Sequence, residues 1–594
     1  MQLIFYDFEI LKQEWFVSFY KEDTNEWFTF RNNRSALLSF ILKHKLNYYF
    51  VGFNSSHFDD LCLKCIWYGL NPYIVVKHCI RENKPHWTIP GLEYKKNIPN
   101  FVSIDLMQLP KMGTLKEIEG NLGLDIIECD LADKDRLSDE EYEIALKYNK
   151  HDVYATYILY QEVKAAIEAK EYLIETYHLN KRLFSSTIPT IGKSILGAVL
   201  MPQEKSFIYQ KPNCIEVENQ EILNTFDKQE FTLDKLIKKE VNLNGLVITL
   251  SLGGTHGGTN NFVADDKQGE YILIHADAAS LYPNEMDNEK NPEFNFLSRA
   301  CSNPKEFRAI KQKRLEYKKA GKKAQSEPLK LVINSIAGAM LCMKDNKPLP
   351  FTDWVNNRKV CITGQLALTM LLEWCNKIVS FNCFNLNTDG IWAIIHKDKL
   401  NNLLDIFNKW MDKTGLELGM DIIKKFKVVQ KDVNNYIIYD KEKNSVEVKG
   451  QDVNKLRWGK HYNNSKTIID DAMINYFVYN KPINETIQEA YDKNEVEKFQ
   501  IILARKHKNY TNTYYGDKIV QKVNRVFPTY DITKPPLTKE KGGNKSIMFA
   551  DAPEHVIIDN RNVKNIDLKA INLDLNYYFN IINKKIFQWL GKDK

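Results

Sequence analysis

Residues 269–283 have the sequence GEYILIHADAASLYP. The apolar run before Asp277 predicts a buried strand that ends at this acid. The following residues turn into Pro283, a residue that commonly marks a turn. An acid at the end of a strand, followed by a turn, is common in loops. This stretch alone therefore predicts a strand and a turn but no activity.

Two further segments follow downstream. Residues 330–338, KLVINSIAG, fall in a predicted helix, and residues 383–396 predict a β-hairpin. The tip of that hairpin is Asn387-Thr388-Asp389-Gly390, where turn-type residues separate two apolar strands. A strand that ends in Asp277 and a hairpin tip that carries Asp389 can approach each other across a sheet.

The N-terminal part of the chain alternates between strand and helix patterns. Strands are predicted around residues 2–8, 15–20 and 48–53, and helices around 60–68 and 139–170. This alternation predicts one domain with a mixed sheet through about residue 190.

Acidic residues recur within this N-terminal part. Asp7 and Glu9 are two apart on a predicted strand and leave the same face. Asp59 follows a second apolar strand, and Tyr148 and Asp152 are four apart on a predicted helix. Carboxylates from several elements could together hold two divalent metal ions, which lie about 4 Å apart when they act on a phosphodiester. The alternative is that these acids are scattered and solvated.

Taken in order, these segments resemble the motifs of the family B DNA polymerases. Residues 7–9, 54–59 and 148–152 resemble the three exonuclease motifs of the family. Residues 277–283 are similar to the DxxSLYP motif, 330–338 to KxxxNSxYG, and 387–390 to DTDS. The resemblance covers nearly the entire chain, and the lack of an additional N-terminal domain suggests a compact phage or viral type.

The resemblance implies a multidomain fold, α/β plus α+β, in which an RNase H-like 3′→5′ exonuclease domain precedes a right-hand polymerase. The implied parts are the exonuclease domain (1–190), a connecting region with a glycine-rich junction (191–265), the first part of the palm (266–300), the fingers (301–362), the second part of the palm (363–460), and the thumb with the C-terminal region (461–594).

The implied activity is template-dependent addition of dNTPs to a primer 3′-hydroxyl by two-metal phosphoryl transfer. Asp277 and Asp389 would bind two Mg²⁺ ions, for which Mn²⁺ substitutes, and the ions activate the hydroxyl and neutralise the pyrophosphate. The nucleotide-binding residues implied are Ser280, Tyr282, Arg314, Lys330 and Asn334, with Tyr282 excluding ribonucleotides. The DNA-binding residues implied in this part of the chain are Gly253, Gly254, Tyr436 and Lys449.

The resemblance also implies a proofreading exonuclease that uses a second pair of Mg²⁺ ions. Its metal ligands would be Asp7, Glu9, Asp59 and Asp152, and Tyr148 would orient the attacking water. Asn54 and Phe58 would hold the single-stranded 3′ end, Phe58 through apolar or stacking contact. Ile10 follows the first acids where many relatives have Thr.

A basic segment precedes the KLVINSIAG helix. Residues 305–323 contain nine basic and two acidic residues. The basic residues at steps of three or four are Arg308, Lys311, Arg314, Lys318 and Lys322. An isolated run of this kind is most often a solvated helix, but its place beside the nucleotide motifs favours a helix that faces phosphates. Arg314 is the residue we expect to bind the triphosphate, because a guanidinium binds phosphate in a bidentate manner.

Several positions depart from the family pattern. Ala337 stands where the family usually has Tyr, Asn387 replaces the first Asp of DTD, and Gly390 replaces Ser. An exonuclease with a weakened or inactive polymerase site is therefore the alternative function. A nucleic-acid-binding protein without chemistry is a third hypothesis. The retained acids speak against it, because unneeded buried acids are costly.

Composition limits the remaining classes. The chain has 594 residues, a formal net charge of +6, 44% hydrophobic and 27% charged residues, which argues against a largely disordered chain. No apolar stretch is long enough to span a membrane, and the N-terminus does not resemble a signal peptide. Ten sparse cysteines predict a reduced, cytoplasmic protein, in an infected bacterial host if it is phage-encoded. For the CxxC of Cys62 and Cys65, half-buried helix cysteines are favoured over a metal site.

The expected partners follow from the implied activity. They are primer-template DNA, dNTPs and other replication proteins, with the chain itself a monomer that has no membrane partner.

Overall fold

The computed structural model describes residues 1–109, 111–129, 134–550 and 552–592. Its N-terminal strands are β1 (Leu3–Ile10), β2 (Trp15–Lys21), β3 (Glu26–Arg31), β4 (Tyr49–Gly52) and β5 (Ser103–Asp105). They form a sheet in the order β3-β2-β1-β4-β5, in which β1 is antiparallel to β2 and parallel to β4. The mixed sheet and its three predicted strands are confirmed, whereas β3 and β5 were not predicted.

Helices of the N-terminal part are α1 (Arg34–His44), α2 (Asp59–Trp67), α3 (Tyr73–Val75), α4 (Leu115–Asn121) and α5 (Asp139–Thr176). The predicted helices at 60–68 and 139–170 are confirmed as α2 and α5. Helices α4 and α5 both begin at capping boxes, formed by Thr114 with Glu117 and by Ser138 with Glu141. Apolar residues of α5 pack on the sheet beside Phe5, which fixes the polar residues of the same helix near β1.

The middle of the chain begins with α6 (Ile188–Ile195), β6 (Ser206–Ile208), α7 (Gln220–Phe226), β7 (Glu230–Thr232), β8 (Lys238–Leu243), β9 (Leu246–Ser251), β10 (Gly254–Gly258), β11 (Phe262–Asp265) and β12 (Tyr271–Ala278). It continues with α8 (Leu281–Met286), α9 (Pro304–Lys319), α10 (Lys323–Ala339), β13 (Met343–Lys344), β14 (Lys347–Pro348), α11 (Trp354–Cys375), β15 (Asn382–Asn387), β16 (Gly390–His396), α12 (Leu400–Thr414) and β17 (Leu418–Ile423).

A central sheet joins strands from both halves of this segment, in the order β17-β12-β16-β15-β10-β9-β8. Neighbouring strands are antiparallel, and the hairpin predicted at 383–396 is confirmed as β15 and β16. The region 191–265 was predicted to be a connection, but its strands β8, β9 and β10 belong to this sheet. The glycines of β10 hide the strand pattern in the sequence. They also allow β10 to lie close to β9, because a Cβ at Gly257 would be only 2.8 Å from the carbonyl oxygen of Val247.

Helices α9 and α10 form a hairpin whose apolar side packs on α5 and α6, through residues that include Ile191, Phe307, Ile310, Val332 and Ile336. The basic segment 305–323 therefore lies mostly on a helix, as predicted. The long apolar helix of this segment is α11, which begins at Trp354 and is buried along most of its length.

The C-terminal part contains β18 (Phe426–Asp432), β19 (Asn435–Asp440), β20 (Ser445–Lys449), α13 (Ile468–Tyr479), α14 (Ile483–Asp492), α15 (Val496–Phe499), β21 (Ile501–Ala504), β22 (Thr513–Tyr515), β23 (Lys518–Val520), β24 (Val523–Pro528), β25 (Leu537–Lys541), β26 (Asn544–Met548), β27 (Val556–Ile558) and α16 (Leu575–Trp589). Its sheets have the orders β11-β18-β19-β20, β21-β24-β27 and β23-β22-β25-β26. Helices α13, α14 and α16 share an apolar core. Within the described ranges, no helix is both long and apolar enough to cross a membrane.

The start of α11 offers a test of this packing. Asp353 is fully buried, caps Asn356 at the helix N-terminus and accepts hydrogen bonds from the Arg299 guanidinium at 2.8 and 2.9 Å. Asp353→Ala removes both the cap and the ion pair, so we expect a loss of about 2–4 kcal/mol in stability. Asp353→Asn keeps a capping oxygen and should lose less. Thermal unfolding of both variants measures this, and equal melting temperatures for the two would contradict it.

Candidate functional site

Four carboxylates and a tyrosine from the N-terminal part line one cavity of about 660 Å³, which we call the first cavity. Strand β1 contributes Asp7 and Glu9, which leave the same face of the strand. Helix α2 begins at Asp59, and α5 contributes Tyr148 and Asp152, one turn apart. The structure therefore brings together the five residues that the three N-terminal motifs predicted.

Hydrogen bonds fix the elements of the first cavity to one another. The backbone N–H of Phe8 donates to Asp59 Oδ1 at 3.0 Å, which ties α2 to β1. Asn149 Nδ2 donates to Asp7 Oδ2 at 2.8 Å and to the Asp7 carbonyl oxygen at 3.1 Å, which ties α5 to β1. Asn149 was not predicted, although it follows Tyr148 directly in the third motif.

Burial raises the pKa of all four carboxyl groups in the first cavity. The pKa of Glu9 rises to about 8, and that of Asp152 rises to about 7. Burial likewise raises the pKa of Asp59 to about 8. The pKa of Asp7 also rises, through burial first and then through the nearby charges of Asp59 and Glu9. Ionising these carboxyl groups inside the cavity is therefore costly, and a bound cation would lower that cost.

Lys116 supplies a positive charge to the first cavity, although no sequence motif marks it. Its Nζ donates to the Asp152 carboxylate and, at 3.0 Å, to Glu119 Oε1. It also lies 4.5 Å from the centre of the Tyr148 ring. The lysine charge lowers the pKa of Asp152 against the effect of burial. A lysine near the start of a short capped helix has the pattern of an ordinary surface residue, so only the tertiary structure identifies it.

Asn54 and Phe58, the predicted contacts of a single-stranded 3′ end, also line the first cavity, beside His57. Asn54 has a left-handed backbone, with φ of 59°, and its N–H donates to Asp105 Oδ1 at 2.8 Å. Asp105 is fully buried at the end of β5 and also accepts the backbone N–H of Ser56 at 3.2 Å. This unpredicted acid therefore holds the loop that carries both residues.

The cysteine pair in α2 packs into the protein. Cys62 and Cys65 are both fully buried in the apolar core behind β1 rather than half-buried. Across the part of the chain that the structure describes, no group of three or more His, Cys, Asp or Glu residues is arranged closely enough to hold a metal ion. This applies to the CxxC and to the carboxylates, whose side chains share cavities without converging on one point.

A second cavity, of about 790 Å³, contains the motif residues of the middle segment. The predicted residues that line it are Asp277, Ser280, Tyr282, Arg314, Lys330, Asn334 and Asp389. Asp277 lies opposite Gly390 in the β12–β16 pair, and the N–H of Ala278 donates to the Asp389 carbonyl oxygen at 2.7 Å. Burial first and the Asp389 charge second raise the pKa of Asp277 to about 6. The expected approach of the two acids across a sheet is confirmed.

Basic groups from the α9–α10 hairpin face these acids. Arg314 Nη1 donates to Ser280 Oγ at 3.0 Å, while its buried Nε has no hydrogen-bond partner among the described residues. Lys330 lies on α10 with 45% of its side chain exposed, and Asn334 follows it by one turn. A cation with a free donor beside two acids is an arrangement suited to a phosphorylated ligand.

The sequence suggested that the whole basic stripe of α9 faces phosphates. In the structure only part of the stripe lies at the second cavity. Arg308 forms an ion pair with Asp287, and Lys311 donates to the Asp287 carbonyl oxygen. Asp287 directly follows α8, so the turn after the DxxSLYP segment neutralises the first part of the stripe. Arg314 and Lys318 line the second cavity beyond it.

The glycine-rich turn between β9 and β10 touches the second cavity. Tyr282 Oη donates to the Gly253 carbonyl oxygen at 3.3 Å. Gly254 has φ of 137°, and a Cβ there would lie 3.0 Å from the side chain of Thr388. Glycine therefore allows this turn to lie against the hairpin tip beside Asp389. A role of both glycines in DNA binding remains a prediction.

Tyr436 and Lys449 lie opposite each other on β19 and β20. Tyr436 is only 4% exposed, and its hydroxyl donates to Glu447 Oε1 at 3.3 Å, so its ring is not a surface for stacking bases. Lys449 Nζ lies 5.7 Å from that ring, and its charge lowers the pKa of Asp277. Of the two predicted DNA contacts, Lys449 is the one that acts electrostatically on the second cavity.

The positions that depart from the family pattern have structural roles. Asn387 Oδ1 lies 2.9 Å from His256 Nδ1, so its side chain is engaged with β10. Ala337 is nearly buried in the core of the α9–α10 hairpin. Gly390 lies so close to the neighbouring strand that a Cβ would be 3.0 Å from Asp277 Oδ1.

The raised pKa values predict how stability depends on pH. Carboxyl groups of the unfolded chain ionise near about pH 4, whereas Glu9, Asp59 and Asp152 stay protonated in the folded chain until about pH 7–8. The folded state binds more protons in this interval, so stability should fall as pH rises through it. We expect the melting temperature in a chelator to fall from pH 5 to pH 8.

The double variant Glu9→Gln with Asp59→Asn should flatten this fall, and Glu240→Gln, a change of an exposed acid, should not. A melting temperature that rises across the interval, or equal slopes in all three proteins, would contradict the pKa assignment.

Comparisons with known proteins found matches among solved structures only. No family model matches the sequence, and no curated protein matches it. A solved structure of the family B DNA polymerase from the hyperthermophilic archaeon Pyrobaculum calidifontis is similar to this chain, with a TM-score of 0.41 and 11% sequence identity. The similarity covers 100% of this chain and 78% of that one.

Proposed function

We propose that the chain is a template-dependent DNA polymerase with a 3′→5′ exonuclease, of the family B type. The observation that carries the proposal is the presence of two separate carboxylate cavities. One combines two acids with basic groups from α9 and α10, and the other combines four acids with a tyrosine. The motif resemblance supplies the assignment of polymerase chemistry to the second cavity and of proofreading to the first.

In the polymerase reaction, the primer 3′-oxygen attacks the α-phosphorus of the dNTP and pyrophosphate leaves. Arg314 would bind the triphosphate through its free donor, and Lys330 would neutralise it from α10. Ser280 and Asn334 would position the nucleotide by hydrogen bonds. Asp277 and Asp389 offer the oxygen ligands that suit Mg²⁺, and Mg²⁺ when bound would activate the hydroxyl and stabilise the leaving group.

In the exonuclease reaction, water attacks the terminal phosphodiester and releases a nucleoside monophosphate. Tyr148 would orient the water by a hydrogen bond, and Asn54 and Phe58 would hold the 3′ end. The acids of the first cavity are hard oxygen ligands whose mutual repulsion would favour divalent cations. Lys116 would hold the Asp152 carboxyl group in place when the cations are absent.

An exonuclease with a weakened polymerase site is the second candidate. The observations that favour it are the bond of Asn387 to His256 and the buried Ala337, which leaves no aromatic ring at that position of α10. Asp389 is retained beside Asp277 in the second cavity, which favours the polymerase. Primer extension with Mg²⁺ and dNTPs decides between the two candidates, since only a polymerase lengthens the primer.

The two activities should separate by mutation. Asp7→Ala with Glu9→Ala should lower 3′→5′ degradation at least about a hundredfold and leave extension intact, because these acids line only the first cavity. Asp389→Asn should do the reverse. Both rates are measured on one labelled primer-template, with and without dNTPs. Loss of both activities in either variant, with its fold retained, would contradict the two-site proposal.

Tyr282 should select the sugar of the nucleotide. Its ring lies at the second cavity, where a 2′-hydroxyl on the incoming sugar would meet it, a repulsive form of selectivity. Tyr282→Val should raise the ratio of ribonucleotide to deoxyribonucleotide incorporation about tenfold or more. Tyr282→Phe is the matched control, because it keeps the ring and loses only the bond to Gly253. Unchanged discrimination in the valine variant would remove this role.

A further inference from the structure

The segment that carries Lys116 into the first cavity is also bound by the distant C-terminal part of the chain. Helix α4 ends at Asn121, and the carbonyl oxygens of Ile118, Glu119 and Gly120 accept the backbone N–H groups that follow the helix. The carbonyl oxygens of Gly120, Asn121 and Leu124 also accept hydrogen bonds from side chains that lie 343 to 405 positions away in the sequence.

Arg525 is the centre of this contact. It lies on β24 and is fully buried, and its Nη2 donates to the carbonyl oxygens of Gly120 at 3.1 Å and of Leu124 at 2.8 Å. Its Nε donates to Gln500 Oε1 at 2.8 Å, and its Nη1 donates to the Arg561 carbonyl oxygen. A cation at a helix C-terminus is favourable, and four acceptors offset the cost of burying it.

Asn464 and Asn121 form two further hydrogen bonds between the same parts of the chain. The backbone N–H of Asn464 donates to Asn121 Oδ1 at 3.1 Å, and Asn464 Nδ2 donates to the Asn121 carbonyl oxygen at 2.9 Å. Further along the loop, the Glu128 carboxylate accepts the backbone N–H groups of Lys522 at 2.7 Å and of Val523 at 3.1 Å. The loop after α4 is thus bound at several points.

Packing leaves α4 little freedom to shift. A Cβ at Gly120 would lie 2.9 Å from Ile502 Cδ1, and a Cβ at Gly123 would lie 2.7 Å from Val563 Cγ2. The backbone of α4 therefore lies directly against strand β21 and the segment before α16. Because a short helix is nearly rigid, fixing its C-terminal end also fixes Lys116 near its start.

We propose that Arg525 is a positioning residue of the exonuclease, which acts by holding α4 so that Lys116 reaches Asp152. This inference rests on the proposed exonuclease function. Arg525 itself touches none of the residues that line the first cavity. The C-terminal part of the chain is therefore a component of the degradative site, whereas the second cavity does not use α4.

The test compares degradation with extension in the full chain. Arg525→Met should lower 3′→5′ degradation of a single-stranded oligonucleotide about tenfold to a hundredfold, since small displacements in a site have effects of this size. Primer extension by the same preparation should stay within about twofold. Lys518→Met, which removes an exposed cation seven residues away, is the matched control and should leave both rates unchanged. Hydrogen exchange of residues 115–128 should become faster in Arg525→Met alone.

A mutant cycle separates positioning from general destabilisation. Lys116→Ala combined with Arg525→Met should degrade no more slowly than Lys116→Ala alone, because the arginine would act only through the lysine. If the two substitutions instead lower the degradation rate by independent factors that multiply in the double variant, the proposal is wrong. If Arg525→Met does not fold, Asn464→Ala makes a smaller change to the same contact and should show the same pattern.

The outcomes also distinguish this inference from the proposed function. If the wild-type chain degrades DNA and Arg525→Met or Asn464→Ala degrades it equally fast, only the positioning role is wrong. Wild-type chain that extends primers but never degrades them would overturn the exonuclease and the positioning role together.

Discussion

Repulsion between buried carboxylates is the constraint on which the rest of the structure depends. Acids that share a low-dielectric cavity raise one another's pKa, so the protein must hold them together against their charge. It does so with backbone bonds rather than with side-chain cations alone. The N–H of Phe8 binds Asp59, and the N–H of Ala278 binds the carbonyl of Asp389. In both cavities the sheet thus fixes the position of the acids before any ligand is bound.

Each cavity is lined by elements that are adjacent in space but far apart in the sequence. In the first, β1 meets α2 and α5, and in the second, β12 meets the tip of the β15–β16 hairpin. The basic groups come from a separate layer, the α9–α10 hairpin for the second cavity and α4 for the first. Strands thus carry Asp7 and Glu9 in the first cavity and Asp277 in the second, while neighbouring helices supply positive charge to both cavities.

The sequence predicts those features that have a local period. Strand β1, helix α5 and the β15–β16 hairpin follow from alternation, four-residue spacing and turn residues, and the motif resemblance groups the acids correctly. Strand β10 was missed because its glycines carry no apolar pattern. Lys116 and Asp105 were missed because their partners, such as Asp152 and Asn54, lie tens of residues away. The prediction for the basic stripe of α9 was partly wrong, because the pattern of the stripe does not show that Asp287 binds Arg308 and Lys311.

The contact between Arg525 and Gly120 has a consequence for biosynthesis. The two residues are 405 positions apart, and a ribosome adds about 5–20 residues per second, so roughly 20–80 s separate their synthesis. During that interval α4 can form its capping box, but the carbonyl oxygens of Gly120 and Leu124 lack their hydrogen bonds from the Arg525 guanidinium. The first cavity therefore reaches its final arrangement only after β24 has emerged and docked. A nascent or truncated chain would lack this arrangement, so under the proposed function it would not yet be a competent exonuclease.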